Sequence, residues 1–245
     1  MREWLYGRNP VMECLRAGRR DCYQLWIAGG APPAGSIDTL TALAQERKLS
    51  IERPERKAFD RFGREHQGVA LEVSGYPYVN LADGLALAES RRDAPFLLLL
   101  DTLQDPQNFG TLLRTAEAVG VHGVGLPLKQ TVTVTPAVVS SSAGASEHLF
   151  IFQANLAGAI EELKKAGVWV IGLDRGSGSR APEAKHLRGP LVLVVGGEGQ
   201  GMRRLIRESC DLLIELPMVG RVASLNAATA GSIGLYLAFQ ARKTV

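Results

Sequence analysis

The chain has 245 residues, of which 46% are hydrophobic and 22% are charged, and its formal net charge is +3. This composition is typical of globular proteins and excludes a largely disordered chain. The longest apolar run, FLLLL at 96–100, is far shorter than the roughly 20 residues that span a membrane. The first residues, MREWLYGRNP, are charged, so we expect no secretory signal.

The three cysteines, Cys14, Cys22 and Cys210, are scattered without a CxxC spacing. This pattern predicts neither a disulfide framework nor a zinc site, and it suits a reducing compartment. We therefore expect a cytoplasmic protein without a metal or a membrane partner. The mild excess of basic residues permits a nucleic-acid partner without requiring one.

The first 75 residues alternate between helical and strand patterns and predict a small α/β domain. A helix is expected over 7–18, with Asn9 as N-cap and Gly18 at its end. The last strand of this domain is expected at 68–73.

Residues 76–94 predict a linker, because Gly and Pro stand at the edges of one short amphipathic helix near 80–91. Residues 95–245 then alternate apolar strands with helices, which predicts a parallel sheet covered on both faces. The expected strands are 96–101, 121–126, 148–152, 168–174, 191–197 and 211–216. The expected helices are 108–119, 155–166, 201–208 and about 224–242.

Three loops of this second domain carry unusual polar residues. The first, QDPQN, leads to Asn108 as a plausible N-cap, and Arg114 follows six residues later. By spacing alone, a capped helix with a surface arginine is the favoured explanation of these residues. Polar loops after buried strands are nevertheless frequent binding sites.

The second loop, VVGGEGQGMRRL at 195–206, is glycine-rich but fits no phosphate-binding fingerprint. Glu198 would repel a pyrophosphate, so we expect a neutral or cationic ligand or simply a flexible turn.

In the third loop, LPMVGRVASLNAATAG, Ser224 is a plausible cap of the last helix, and Asn226 follows two residues later. The small residues that follow permit close backbone packing.

The series DPQNFGTLLRTA, GGEGQGM and LPMVGRVASLNAATA resembles, in order and spacing, the three motifs of the SpoU (TrmH) family of SPOUT RNA methyltransferases. This resemblance covers 95–245. Residues 1–75 resemble the ribosomal-protein-L30e-like RNA-binding domain of the branch that contains the RlmB-type 23S rRNA guanosine 2′-O-methyltransferases.

The resemblance implies S-adenosylmethionine as cofactor, a deep trefoil knot in the second domain, and a homodimer whose sites form across the subunit interface. A knot departs from the usual rule that chains do not thread loops. The segment SLNAATA differs from the SLNVSVA of many relatives, which puts the packing of the last helix in doubt rather than activity.

The resemblance also assigns roles to residues. For Arg114, which matches the arginine of the first motif, we expect from the high pKa of a guanidinium that it stays charged and stabilises the 2′-alkoxide, while the proton leaves through Ser224, water or phosphate. Asn108 and Glu198 position the arginine and the ribose, and Asn226 belongs to the third motif. The expected cofactor-binding positions are Gly196, Gly197, Gly201, Leu216, Met218, Ser224 and Leu225. The expected RNA contacts in the first domain are Arg8, Arg56 and Arg64.

Three alternatives stay open at this point. One is a tRNA ribose methyltransferase of the same family, and another is a non-catalytic RNA-binding homologue. The third, a Rossmann dehydrogenase, lacks its glycine fingerprint and its acidic ribose-binding residue. The sequence does not fix the target nucleotide, because all four nucleotides carry the 2′-hydroxyl.

Overall fold

The computed structural model describes residues 2–29, 35–199, 201–222 and 224–243. Gln200 of the second motif and Ala223 of the third lie outside the described residues.

The chain divides into two compact units. One consists of Met1–Pro77 together with Thr133–His148, and the other consists of Tyr78–Val132 together with Leu149–Val245. A segment from the middle of the chain therefore belongs to the N-terminal unit. The functional division at residues 75 and 95 stays a prediction.

The first unit is built on a four-stranded sheet with the order β1-β4-β2-β3. Strand β4 pairs antiparallel with β1 and β2, while β2 and β3 are parallel. The strands are β1 (Arg2–Tyr6), β2 (Cys22–Ile27), β3 (Ser50–Glu52) and β4 (Val69–Ser74). Its α-helices are α1 (Arg8–Ala17), α2 (Ser36–Glu46) and, in the returning segment, α5 (Pro136–Ser141). Short 3₁₀ helices cover Arg56–Phe62, Arg64–His66 and Ala145–His148.

Helix α1 begins after Gly7, so the prediction that Asn9 caps it was wrong. Gly7 has φ 93°, a left-handed backbone that glycine adopts without strain. The predicted end is confirmed, because Gly18 adopts a left-handed conformation at the C-cap.

An ion pair holds the returning segment inside the first unit. The buried Arg20 donates from Nε to Glu147 Oε2 at 2.7 Å and from Nη2 to Oε1 at 2.8 Å. Both side chains are almost fully buried, at 0% and 1% exposure. Arg20 also contacts Glu3 and the carbonyl of Ser74, so its charge is neutralised and its donors are used.

The second unit contains a parallel six-stranded sheet with the order β10-β8-β9-β5-β6-β7. Its strands are β5 (Phe96–Asp101), β6 (Gly123–Pro127), β7 (Ile151–Ala154), β8 (Trp169–Leu173), β9 (Leu191–Gly196) and β10 (Leu212–Ile214). Its α-helices are α3 (Leu81–Arg91), α4 (Pro106–Ala118), α6 (Leu156–Lys165), α7 (Arg204–Glu208) and α8 (Ala227–Lys243). The predicted parallel sheet is confirmed.

The central strands β5 and β9 are buried along their whole length, which explains their continuous apolar sequences. Helix α8 packs closely because of its glycines. A Cβ on Gly231 would lie 2.6 Å from Leu112, and one on Gly234 would lie 3.1 Å from Leu193. None of the helices formed by the described residues is long and apolar enough to cross a membrane.

Candidate active site

The first motif forms the start of α4, which begins earlier than predicted. Asp105 is the N-cap, and its side chain accepts a hydrogen bond from the backbone N–H of Gln107 at 3.0 Å. The prediction that Asn108 caps this helix was therefore wrong. Pro106 at the first helical position makes the Asp-Pro pair a stronger start signal than the later asparagine.

The third motif leads into α8, whose cap is Asn226. Its Oδ1 accepts hydrogen bonds from the backbone N–H groups of Ala228 at 2.8 Å and Thr229 at 3.2 Å. The prediction that Ser224 caps the helix was wrong. Asn226 Nδ2 also donates to Asn108 Oδ1 at 3.0 Å, so the first and third motifs meet through these two amides.

Arg114 lies on the exposed side of α4. It makes no ion pair or hydrogen bond with any described residue. Six residues separate it from Asn108, which places the two side chains about 120° apart around the helix. The structure therefore does not bring Arg114 and Asn108 onto one face.

A cavity of about 500 Å³ opens beyond the carboxyl ends of β8, β9 and β10. In parallel sheets this is the edge where ligands bind. All seven expected cofactor-binding positions line the cavity, namely Gly196, Gly197, Gly201, Leu216, Met218, Ser224 and Leu225. Glu198 and Asn226 also line it, whereas Asn108 and Arg114 do not.

Glycines keep the loop after β9 close to its neighbours. A Cβ on Gly196 would lie 2.3 Å from the carbonyl carbon of Gly201. One on Gly197 would lie 2.5 Å from the carbonyl oxygen of Thr102. Larger residues do not fit at these positions, so backbone atoms form this wall of the cavity.

The cavity is lined by three carboxylates, Asp174, Glu198 and Glu215, and Arg175 is the only basic residue among its described lining. Asp174 is partly neutralised by Arg207, with Nε 2.9 Å from Oδ2. An excess of negative charge favours a cationic ligand and disfavours phosphates. This agrees with the expectation drawn from Glu198.

The three arginines predicted to contact RNA differ in their surroundings. Arg8 is half-buried, and its Nη1 donates to Ser36 Oγ at 3.3 Å. Arg56 and Arg64 are exposed at the starts of two 3₁₀ helices. Within the described part of the chain, neither has an ion pair or hydrogen-bond partner for its side chain.

The sequence analysis missed an ion pair beside the cavity, between Asp101 and Arg203. Asp101 ends β5 and is fully buried, and its Oδ1 accepts from Arg203 Nε at 2.7 Å. An acidic residue directly after the apolar run FLLLL was the available signal, because a buried carboxylate requires a partner. No three or more His, Cys, Asp or Glu side chains among the described residues form a group that could hold a metal ion.

Family models match both parts of the chain. Residues 95–236 match the SpoU rRNA Methylase family. The chain belongs to this family. Residues 4–79 match a second model, described as RNA 2′-O ribose methyltransferase substrate binding. Family membership confirms the expectation of an RNA methyltransferase that uses S-adenosylmethionine.

The chain is similar over nearly its whole length to other members of the family. It is 37% identical to the 23S rRNA (guanosine-2′-O-)-methyltransferase RlmB of Pseudomonas putida, with 98% of this chain and 97% of that protein covered. It is 38% identical to an uncharacterized tRNA/rRNA methyltransferase of Mycolicibacterium vanbaalenii, with 95% of this chain and 74% of that protein covered.

Among solved structures, the fold is shared with the SpoU methyltransferase AviRb of Streptomyces viridochromogenes, which was crystallised with AdoMet. The TM-score is 0.79 at 22% identity, and the match covers 99% of this chain and 91% of that chain. The SpoU methyltransferase fold, together with an N-terminal substrate-binding domain, is thus established for this chain.

Proposed function

We propose that this chain methylates the 2′-hydroxyl of a guanosine in 23S rRNA, with S-adenosylmethionine as methyl donor. The observation that carries the proposal is the cavity after β8, β9 and β10, which the second and third motifs line together. The guanosine and the 23S rRNA come from the similarity to the RlmB enzyme of Pseudomonas putida.

The cavity fits the methyl donor in size and charge. Its volume of about 500 Å³ is in the range of small-molecule sites, and its carboxylates suit a sulfonium ion. Backbone at Gly197, Leu216, Met218 and Leu225 would hold the adenosine, with Gly196, Gly201 and Ser224 completing the wall. When bound, the donor supplies an electrophilic methyl group on a positively charged sulfur.

Arg114 is proposed as the residue that stabilises the reacting oxygen. A guanidinium has a pKa above about 12 and stays charged at neutral pH. It therefore stabilises a developing alkoxide and grips an adjacent phosphate better than it removes a proton. Ser224, water or the phosphate takes the proton from the 2′-hydroxyl.

Asn108, Glu198 and Asn226 are proposed to position the arginine and the ribose. The hydrogen bond between Asn108 and Asn226 supports this role, because it fixes the start of α4 against the start of α8. Glu198 is exposed at the cavity and is available to a ribose hydroxyl.

A homodimer is part of the proposal. Arg114 does not line the cavity of its own protomer, so we propose that it acts at the site of the partner subunit.

Within the second domain, 95–245, the chain is proposed to form a deep trefoil knot. Residues 1–75 are proposed as an L30e-like RNA-binding domain, with 76–94 as the linker between them.

We further propose that Arg8, Arg56 and Arg64 contact RNA phosphates. The exposed side chains of Arg56 and Arg64 support this role more directly than Arg8, which is engaged with Ser36. Because the substrate is rRNA, we place the enzyme in the cytoplasm.

A tRNA target is the second candidate, favoured by the similarity to the tRNA/rRNA methyltransferase of Mycolicibacterium vanbaalenii. The test is a deletion strain whose rRNA and tRNA are digested and analysed by mass spectrometry. We expect one 2′-O-methylguanosine to disappear from 23S rRNA and to return with the wild-type gene but not with Arg114→Ala. Loss of a methylated tRNA nucleoside instead would reject the rRNA proposal.

A further inference from the structure

A second cavity, of about 580 Å³, opens beyond the carboxyl ends of β9, β5 and β6. It is the neighbour of the first cavity along the same edge of the sheet, and both are lined by Gly201. Its lining consists of Thr102, Gln104, Gln130, Gly201, Met202, Arg203 and Arg204. None of the residues assigned to catalysis belongs to it.

The two cavities differ in chemistry. The first is lined by three carboxylates, whereas the described lining of the second contains none. The second instead contains two arginines and two carboxamides. Arg204 Nε donates to Glu208 Oε1 at 2.8 Å and the Thr102 hydroxyl donates to the carbonyl of Asp101 at 2.7 Å, so the donors left for a ligand are the carboxamides and the remaining guanidinium N–H groups. Such a set of hydrogen-bond donors suits an anion with several oxygens, such as a phosphodiester with its ribose.

Arg203 is held in place by the buried Asp101. Oδ2 of Asp101 accepts from the backbone N–H of Arg203 at 2.7 Å, and Oδ1 accepts from Nε at 2.7 Å and lies 2.7 Å from Nη2. Arg203 Nη1 has no partner among the residues that the structure describes. One edge of the guanidinium is thus fixed by the protein, and a donor is left for a ligand.

The loops around the second cavity are also fixed. Thr131 Oγ1 donates to the carbonyl of Leu103 at 3.1 Å, and the backbone N–H of Val132 donates to the same carbonyl at 2.9 Å. Thr102 and Gln130 have φ values of 61° and 57°. Residues other than glycine seldom adopt this left-handed backbone conformation unless the surrounding structure imposes it.

We propose that the second cavity binds the phosphodiester and ribose next to the target nucleotide, with Arg203 and Gln104 as RNA-binding residues. Gly201 lines both cavities. RNA bound in the second cavity would therefore lie next to the methyl donor bound in the first, separated from it by the loop that contains Gly201. The inference rests on the proposed function and adds to it the place where the target strand enters the catalytic domain.

Two variants test the proposal without removing the partner of Asp101. Arg203→Lys keeps a positive charge for the buried carboxylate but loses the free guanidinium edge. Gln104→Glu adds a carboxylate to the exposed side of the cavity. Ala86→Glu, on the exposed face of α3, adds the same charge away from both cavities and is the matched control.

For each protein, the Kd for unmodified 23S rRNA transcript and the Kd for S-adenosylmethionine are measured, together with Tm. We expect roughly tenfold weaker RNA binding for Arg203→Lys and Gln104→Glu, as the loss of one charge-assisted contact implies. The Kd for the methyl donor should change less than about twofold, and Ala86→Glu should match the wild type.

An unchanged RNA affinity in both variants would overturn the proposal. Weaker binding of S-adenosylmethionine at unchanged RNA affinity would overturn it too, since the arginine would then hold the carboxylate of the donor. The proposed function is tested separately, by whether the wild type methylates the transcript at all. A failure of the proposed function is thus distinguishable from a failure of the proposal that RNA binds in the second cavity.

Discussion

Arg114 makes no ion pair or hydrogen bond with any described residue. Its side chain is exposed on α4 and lies outside the cavity that the other motifs line. This position is compatible with a surface arginine of no function and with a group that completes the site of a partner subunit. The two possibilities differ in what substitution does to turnover.

Replacement of Arg114 tests its role directly. We expect Arg114→Ala to lower kcat by about 10²- to 10³-fold, the usual effect of removing one group that stabilises an oxyanion. Arg114→Lys should retain part of the activity as long as the lysine is protonated, because a cation then remains near the oxygen. Transfer of labelled methyl groups to RNA measures kcat. Wild-type turnover in Arg114→Ala would remove this residue from the mechanism.

The cysteines are expected to differ in reactivity. A hydrogen bond from Cys14 lowers the pKa of the Cys22 thiol, and Arg47 adds to this effect. Burial raises the pKa of Cys210 to about 12. Since the thiolate is the reactive form, iodoacetamide at about pH 8 should label Cys22 before Cys210. Peptide mass spectrometry over time measures the order, and faster labelling of Cys210 would contradict it.

For single residues, the sequence predicted the site positions that belong to one motif. It missed ion pairs between residues that are far apart in the chain. All seven expected cofactor positions line one cavity, because they stand in two short loops whose order the resemblance supplied. Asp101 and Arg203 meet across 102 positions. No local pattern links them, so only the folded chain reveals the pair.

Among the elements, α8 has the start that most affects the site. Asn226 caps this helix and holds Asn108, so one side chain orders two of the three motifs. Ser224, two residues earlier, makes no cap hydrogen bond among the described residues.

This difference predicts unequal costs of substitution. Asn226→Ala should lower the free energy of unfolding by about 1 kcal/mol, the usual cost of losing an N-cap. Ser224→Ala is the control and should change it by less than about 0.5 kcal/mol. Urea denaturation of both variants measures the two values. An equal or larger loss in Ser224→Ala would show that the cap is misplaced.

The central strands of the second unit were among the most predictable elements of the fold. Strands such as β5 and β9 are continuous apolar runs between breakers, and both were expected within one residue of their observed ends. Strand β1 was not predicted, since REWLY is short and starts with two charged residues. The start of α8 was misplaced because two possible cap residues, Ser224 and Asn226, stand two positions apart, and the sequence does not show which side chain accepts from the first N–H groups of the helix.

At the scale of the whole molecule, the first unit depends on a segment from the middle of the chain. Glu147→Gln should destabilise the protein by about 1.5 to 3 kcal/mol, because the buried Arg20 would lose one of its two carboxylate partners and keep only Glu3. Glu13→Gln, which breaks half-exposed pairs with Arg16 and His148, should cost less than about 1 kcal/mol. Thermal and urea unfolding measure both. An equal loss of stability in the two variants would contradict the view that the Arg20–Glu147 pair stabilises the first unit.

The proposed homodimer also has a testable surface. Ile233 and Tyr236 on α8 are 39% and 52% exposed, although large apolar side chains are normally covered. If α8 forms the interface, Tyr236→Glu should turn a dimer into a monomer in light scattering. Trp169→Glu, which changes an exposed aromatic residue on β8, should leave the dimer intact. A monomeric wild type would reject the dimer.

The returning segment Thr133–His148 has a consequence for recombination between relatives. A chimaera that exchanges only residues up to Pro77 would place Arg20 of one parent against residue 147 of another. If the second parent lacks an acid there, the hybrid leaves the buried Arg20 with Glu3 as its only carboxylate partner among the described residues. Exchange of RNA preference between family members therefore requires two crossovers, one on each side of this segment, in addition to the one near Pro77.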